Sequence, residues 1–486
     1  VQSTEGRRVS DYSESNRWNA LAVLGVAYLM VVLDVSIVNV ALPSIQTDLS
    51  FAPEDLQWVV SAYALTFGGF LLLGGRAGDL LGRRRLFMVG LALFAASSLL
   101  CGLSQSDTML IFARALQGVA GAILSPSVFS IVTVTFEEGP DRNKALGILG
   151  GIAGSGAAIG VLLGGILTEY AGWQWIFFVN VPIGFITLLL VPRVVQESHV
   201  EGLQRHFDAL GAVIVTASLM ILVYALTQAN NAGWTSLQTV GLLVVSAVLM
   251  AAFIVVERRS PSPLMPLNFF RNRTPTGANI VGFGLGTAVF GMFYLLSLYM
   301  QQVLGFTPIR TGVGYLAVAL TAVAASGIAQ ALVTKVGVKP ALTFGMSMLL
   351  AGLLYFTQIS VGGSYLVDLL PGFLLVGVGL GFAFVPVSIA ALAGVRTDQA
   401  GLASGLINTS QQIGGALGVA IMTTVATNKT GDLLAGGADQ LHAFTEGYSR
   451  AFLAGAVFAA ISLIATLVVI RQVELPDSEA AHSPAG

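Results

Sequence analysis

The sequence predicts an all-α polytopic membrane protein whose chain crosses the bilayer fourteen times. Three observations predict it. First, 55% of the 486 residues are hydrophobic and 10% are charged, whereas a soluble domain carries about 25% charge; this chain cannot clothe itself in polar surface. Second, its apolar stretches are mostly about as long as the roughly 20 helical residues that cross a hydrocarbon core. They do not alternate as barrel strands would. Third, the basic residues between the stretches fall almost entirely on one side.

The apolar runs are 19–43, 56–75, 86–103, 108–132, 144–168, 175–192, 208–228, 236–256, 278–302, 311–333, 339–358, 366–392, 401–427 and 448–470. With the N-terminus inside, 19 of the 23 basic residues lie on the inner side, Arg310, Lys429 and Arg450 lie outside, and Arg114 alone falls within a span. That asymmetry is the positive-inside pattern. It predicts both termini in the cytoplasm and supports an even number of spans. Residues 1–16 are polar and do not read as a signal peptide.

A weak repeat organises the spans. Ile159–Gly164 in the fifth matches Ile413–Gly418 in the thirteenth. Gly121 and Pro126 match Gly381 and Pro386, and Gly82 and Arg84 match Gly337 and Lys339. Spans one to six then pair with nine to fourteen, and spans seven and eight are an insertion. The expected organisation is a cytoplasmic tail 1–17, a six-helix bundle 18–193, a two-helix hairpin 208–256, a basic, Pro-rich cytoplasmic connector 257–275, a second six-helix bundle 276–471 and a cytoplasmic tail 472–486. The outer loop 428–447 is Gly-rich and reads as mobile. Two repeated bundles with a site between them are a recurring transporter plan.

Along the chain, the first span holds one carboxylate, Asp34, in Leu33-Asp34-Val35-Ser36-Ile37-Val38-Asn39-Val40-Ala41-Leu42-Pro43. An ionisable group in hydrocarbon costs at least about 2.5 kcal/mol and usually marks a proton or substrate path. After the second span comes Gly75-Arg76-Ala77-Gly78-Asp79-Leu80-Leu81-Gly82-Arg83-Arg84-Arg85. A turn that only fixed topology would not need Asp79 at this spacing; the expectation is a cytoplasmic latch between bundles, carried by Gly75, Asp79, Gly82, Arg83 and Arg84. The fourth span carries Arg114, Gln117, Gly118 and Gly121. Snorkelling accounts for many arginines near helix ends. An arginine facing a bundle interior has a partner, and Asp34 is the natural candidate.

In the fifth span Gly156, Gly160 and Gly164 recur every four residues beside Gly165, the close-packing signature of membrane helices. Trp173 and Trp175 then suggest an outer aromatic belt. The polar and aromatic residues expected to line a substrate cavity are Asn39, Tyr63, Phe67, Gln117, Tyr294 and Gln411, although most aromatics in such a chain serve packing.

Other classes find little support. The net charge of −2 implies no nucleic-acid partner. The single Cys101 forms no internal disulfide and reads as a small core residue. The sequence has no Walker loop and no His-Glu-x-x-His; the Gly282, Gly284, Gly286 spacing lacks a preceding strand. No enzyme activity, metal or cofactor is expected.

Taken together, these motifs resemble the major facilitator superfamily, specifically its fourteen-helix drug:proton antiporters, from about Trp18 to Arg471. Leu33–Pro43 is similar to that group's first-helix signature, Gly75–Arg85 to the superfamily's turn motif, Arg114–Ala122 to its fourth-helix motif and Gly156–Gly165 to the antiporter fifth-helix motif. Two departures stand out: Val161 follows Gly160 where the motif has Pro, and Trp173-Gln174-Trp175 stands where the family often has Trp-Arg-Trp. The resemblance implies a major facilitator fold of two six-helix bundles plus two inserted helices. It implies Asp34 as the proton-coupling acid with Arg114 as its partner, and Asp79, Arg83 and Arg84 as the latch. The expected function is proton-coupled export of amphipathic or cationic drugs across a bacterial cytoplasmic (inner) membrane by alternating access, driven by the proton gradient. The rival readings are an exporter of lipids or cell-envelope metabolites, a nutrient importer and a non-transporting membrane protein.

Overall fold

The structure is a computed structural model, and it describes residues 14–136, 140–198, 209–260, 263, 271–393, 395 and 400–472. These form fifteen α-helices with no strand among the described residues. The first half comprises α1 (Glu14–Asp48), α2 (Trp58–Leu81), α3 (Arg83–Gly102), α4 (Asp107–Thr135), α5 (Pro140–Tyr170), the single turn α6 (Trp175–Phe178) and α7 (Asn180–Val194). An inserted pair follows, α8 (Ala209–Ala232) and α9 (Leu237–Arg259). The second half comprises α10 (Arg273–Leu298), α11 (Pro308–Val336), α12 (Val338–Phe356), α13 (Leu370–Leu392), α14 (Ala400–Ala435) and α15 (Gln440–Val468). With α6 and α7 counted as one crossing, the helices correspond one to one with the fourteen expected runs. Eleven helices among the described residues are long and apolar enough to cross a membrane. The crossings outside that set are α5, α8 and the more polar, 36-residue α14.

Three local expectations change. Pro43 does not end α1, which continues to Asp48; proline removes one amide bond but leaves helical φ intact. The stretch 428–447 is mostly helix, since α14 runs to Ala435 and α15 starts at Gln440, each closing its end with a turn or cap. Trp173 is not on the surface: it is buried and its Nε1 donates to Asp48 Oδ2 at 2.8 Å, leaving Trp175 as the exposed ring.

The two bundles reuse one packing device. A Cβ on Gly164 of α5 would lie 2.7 Å from Ile37 O of α1, and one on Gly418 of α14 would clash with Thr287 O of α10. Small residues let these backbones meet. Gly82 and Gly337 occupy the same turn in each half, with φ of 105° and 85°. That left-handed backbone favours glycine.

The ends of the molecule differ. At the end where α1 terminates, here the Asp48 end, one continuous apolar core runs from Ile37, Val40 and Ile45 of the first bundle into Leu295, Tyr299 and Phe306 of the second. Toward the opposite, Gly82 end, the first bundle keeps its own core around Leu24, Phe67, Phe94 and Val128. The inserted α8 lies along the seam between α2 and α14. There Leu219 and Val223 join Ala62, Leu65, Leu417 and Ala420 in one cluster, and a Cβ on Gly69 would clash with Thr216.

Candidate functional site: a sealed acid–base cluster

Asp34 sits near the middle of α1, and its carboxylate has no solvent exposure. Arg114, two turns into α4, reaches it: Nη1 donates to Asp34 Oδ2 at 2.6 Å. The same nitrogen donates to Gln117 Oε1 at 2.7 Å, and Arg114 Nε donates to Val59 O at 2.8 Å. Gln117 lies one turn further along α4, on the same face. Its Nε2 donates to Asp34 Oδ1 at 2.7 Å and to Ser98 Oγ at 2.7 Å. Asn180, at the start of α7, adds a 3.4 Å contact to Asp34 Oδ1 and donates to Ser98 Oγ at 3.1 Å. Cys101 Sγ faces Gln117 Oε1 at 3.6 Å. Aromatic rings close the cluster, with the guanidinium 4.4 Å from the Tyr63 centroid and 5.7 Å from that of Phe177.

This arrangement meets the condition for holding two charges in an apolar interior, because both carboxylate oxygens accept from a donor. The cluster also contains a group whose protonation changes its charge balance. A proton on Asp34 cancels the charge that holds Arg114, while Gln117 and Val59 O remain as its partners. Helices α1, α2, α3, α4 and the α6–α7 turn all contribute, so a change at Asp34 is felt by almost the whole first bundle. Helix α5 meets α1 next to the acid: Cβ atoms on Gly160 and Gly164 would press on Ser36 and Ile37.

The other expected residues fall into separate places. Gly156, Gly160 and Gly164 pack α5 on α1, while Gly165 touches Pro308 and Ile309 of α11. The residue at the missing proline, Val161, lies with its carbonyl 2.5 Å from where a Cβ of Gly312 would be, and α5 runs unbroken. In the last turns of α2, Gly75 packs near Pro126, and the side chain of Asp79 lies outside the described residues. Glu197 accepts from the backbone amides of Arg84 and Arg85, both at 3.1 Å, and Arg84 Nη1 donates to Val195 O at 3.2 Å. Arg83 N donates to Ser198 O at 2.9 Å. These bonds fasten the turn to its own bundle. Of the six residues named for a cavity, Gln117 belongs to the acid–base cluster, and Tyr63 and Phe67 stack beside it at 5.7 Å. Asn39 donates to Val35 O of its own helix at 3.2 Å, while Tyr294 and Gln411 belong to the second bundle.

At the Asp48 end, side chains tie the bundles together. A π-helical turn, Tyr299–Val303, presents two glutamines in succession. Gln301 Nε2 donates to Val40 O at 2.8 Å, and Gln302 Nε2 to Gln46 Oε1 at 2.9 Å. Glu169 of α5 accepts from the amide of Ile309 at the start of α11, at 3.0 Å.

Ser98, Asn180 and Glu197 escaped the sequence reading. Ser98 is an ordinary small residue in an apolar run. Asn180 carries a usable signal, an amide inside the sixth run just before Pro182. Glu197 lies beyond the last apolar residue, where nothing in the sequence points it back to α3.

A family model for the Major Facilitator Superfamily matches residues 24–419. The chain belongs to this superfamily. It is 38% identical over 459 residues to the puromycin resistance protein pur8 of Streptomyces alboniger, covering 94% of this chain and 91% of that one. It is 36% identical over 458 residues to the cephamycin export protein CmcT of Amycolatopsis lactamdurans, covering 94% and 93%. It is 35% identical over 413 residues to EfpA, an uncharacterized MFS-type transporter of Mycobacterium tuberculosis, covering 85% and 77%. The crystal structure of a bacterial homolog of the human lysosomal transporter Spinster, inward-facing and unoccupied, superposes with a TM-score of 0.68 at 16% identity, over 94% of this chain and 98% of that one. That likeness bears on the fold alone.

Proposed function

We propose that the protein is a proton-coupled secondary active exporter of amphipathic or cationic small molecules, with Asp34 as the proton carrier and Arg114 as its counter-ion. The sealed Asp34–Arg114–Gln117 cluster carries this reading, because a structural ion pair would be replaceable by apolar packing at no loss of stability. Relatives named for puromycin resistance and cephamycin export supply the direction and the kind of cargo. We place the Asp48 end outside and the Gly82 end, with both termini, at the cytoplasmic face of a bacterial inner membrane. In that orientation the Gln301, Gln302 and Glu169 bonds close the outer mouth. The turn fastened by Glu197 is then the cytoplasmic latch. A proton entering along the membrane field contributes about 2.3 kcal/mol per 100 mV. Its arrival at Asp34 frees Arg114 and loosens α1 against α4, and its departure inward resets the pair.

The test uses the full chain in proteoliposomes with a lipophilic cationic dye and an imposed pH gradient. Wild type is expected to accumulate the dye until an uncoupler is added. Asp34→Asn is expected to keep dye exchange at equilibrium and lose gradient-driven accumulation. Accumulation at the wild-type rate in Asp34→Asn overturns the assignment.

A further inference from the structure

A second site of charge lies far from Asp34. At the Asp48 end of the second bundle, a cleft of about 470 Å³ is lined by Thr357, Lys429, Glu446, Ser449, Arg450 and Leu453. Its floor is fixed by a hydrogen bond from Ser449 Oγ of α15 to Thr357 O, just past α12, at 2.6 Å. The sequence places only three basic residues at this end, Arg310, Lys429 and Arg450. The Arg310 guanidinium is occupied over the Phe306 ring, 3.9 Å from its centroid. The other two share the cleft. Among the described residues neither has a carboxylate within ion-pair distance, although Glu446 lies on the same rim. Below the cleft, Leu453, Val457, Ile461 and Ile464 of α15 are exposed at helical spacing, beside exposed Leu354 of α12. Cations at the head of an apolar, outward-facing strip match the two parts of a phospholipid, phosphate above and acyl chain below.

We propose that this cleft binds the phosphate headgroup of an outer-leaflet phospholipid, with Lys429 and Arg450 taking the phosphate oxygens and the Leu453–Ile464 strip the first acyl chain. Assignment to the outer leaflet rests on the orientation proposed above. Positive-inside topology makes outer cations scarce, and two that converge with no ion-paired carboxylate among the described residues are the feature that lipid binding explains.

The experiment reads lipid retention, not transport. The full-length protein is incorporated in phosphatidylcholine nanodiscs with increasing phosphatidylglycerol, re-extracted, and the bound phosphatidylglycerol counted by native mass spectrometry. Wild type is expected to retain one molecule, and the Lys429→Gln, Arg450→Gln double variant to bind it about thirty-fold more weakly. Glu446→Gln, which removes the neighbouring negative charge, is expected to tighten retention. The variants replace the exposed Glu446 and Arg450 and the half-buried Lys429, and an unchanged melting temperature verifies their fold. Equal retention by the double variant overturns the site. Displacement by inorganic phosphate at matched concentration also overturns it, in favour of a free-anion site. Labelling of Lys429→Cys by an impermeant maleimide only from the cytoplasmic side overturns the leaflet assignment together with the orientation, a failure distinct from loss of the retention difference.

Discussion

The two bundles share a skeleton and differ in what fills it. In both, glycines on the fifth helix press against backbone of the first: Gly164 on Ile37, Gly418 on Thr287. In both, a glycine at positive φ joins the second and third helices, and a cation just after it reaches back to its own last helix, Arg84 to Val195 O and Lys339 to Leu467 O at 2.6 Å. The register that carries Ile37 onto Thr287 sets Gly284 opposite Asp34, and the register that carries Gly121 onto Gly381 sets Leu374 opposite Arg114. Gly284 packs on Phe458 and Ser462, and Leu374 is exposed. The mechanical parts are therefore symmetric and the titratable parts are not. A rocking motion needs two similar halves, whereas proton binding needs one acid.

The strongest way to break this comparison is to treat the two registers alike. Arg114→Leu leaves a buried carboxylate without its cation and is expected to cost about 3–5 kcal/mol. Leu374→Ala, on an exposed face, is expected to stay within about 0.5 kcal/mol of wild type. Thermal unfolding in one detergent measures both. Equal melting temperatures would mean that the first bundle does not depend on its charged cluster.

The glycines sharpen the comparison from the other side. Gly164→Ala and Gly418→Ala each force a methyl group onto a carbonyl, at about 1–3 kcal/mol. Their stability losses are expected to match. Gradient-driven accumulation should fall further in Gly164→Ala, because Ile37 is one turn from Asp34. Matching transport losses would detach α5 packing from the proton site.

A smaller asymmetry lies in the turns. Glu197 places its carboxylate on the first amides of α3, where the helix dipole favours a negative charge, while Gln472 Nε2 donates to Val336 O at 2.9 Å in the second bundle. Glu197→Ala should therefore cost about 1 kcal/mol. Gln472→Ala should cost less, as an exposed neutral bond does. Equal losses by thermal unfolding would leave the carboxylate without special weight.

The fold was legible in the sequence because a bilayer leaves few choices. Span length, loop charge and glycine spacing each report a constraint that lipid imposes. The pair Asp34 and Arg114 was legible for the same reason: each is the exception in an apolar run. What stayed hidden depended on depth and direction. Ser98 and Asn180 became part of the site through the packing of α3 on α4 and of α7 on α1 and α3, which no local pattern encodes. Gln117 reads as cavity lining because an amide has the same composition whether it faces a drug or a carboxylate. The expected outer loop at 428–447 is largely helix that runs beyond the apolar segment, since a helix need not stop where hydrocarbon does.

The finest contrast is at the Asp48 end, where the second bundle gathers Lys429 and Arg450 and the first gathers Glu54, Asp55 and Asp107. Asp55 lies in the loop before α2. Partial burial pushes its carboxyl above the usual range, and the charges of Glu54 and Asp107 push it further. A carboxyl whose affinity for protons is higher when folded contributes stability that is full below its unfolded pKa, about 3.9. That contribution is lost as pH rises through the folded value. Asp55→Asn has no proton to lose. It is therefore expected to melt slightly above wild type at neutral pH, with the two curves converging as pH falls below about 4. A melting-temperature series from acid to neutral pH measures this. Parallel curves would mean that the acidic rim is fully solvated, and that the two bundles differ at this end in sign of charge alone.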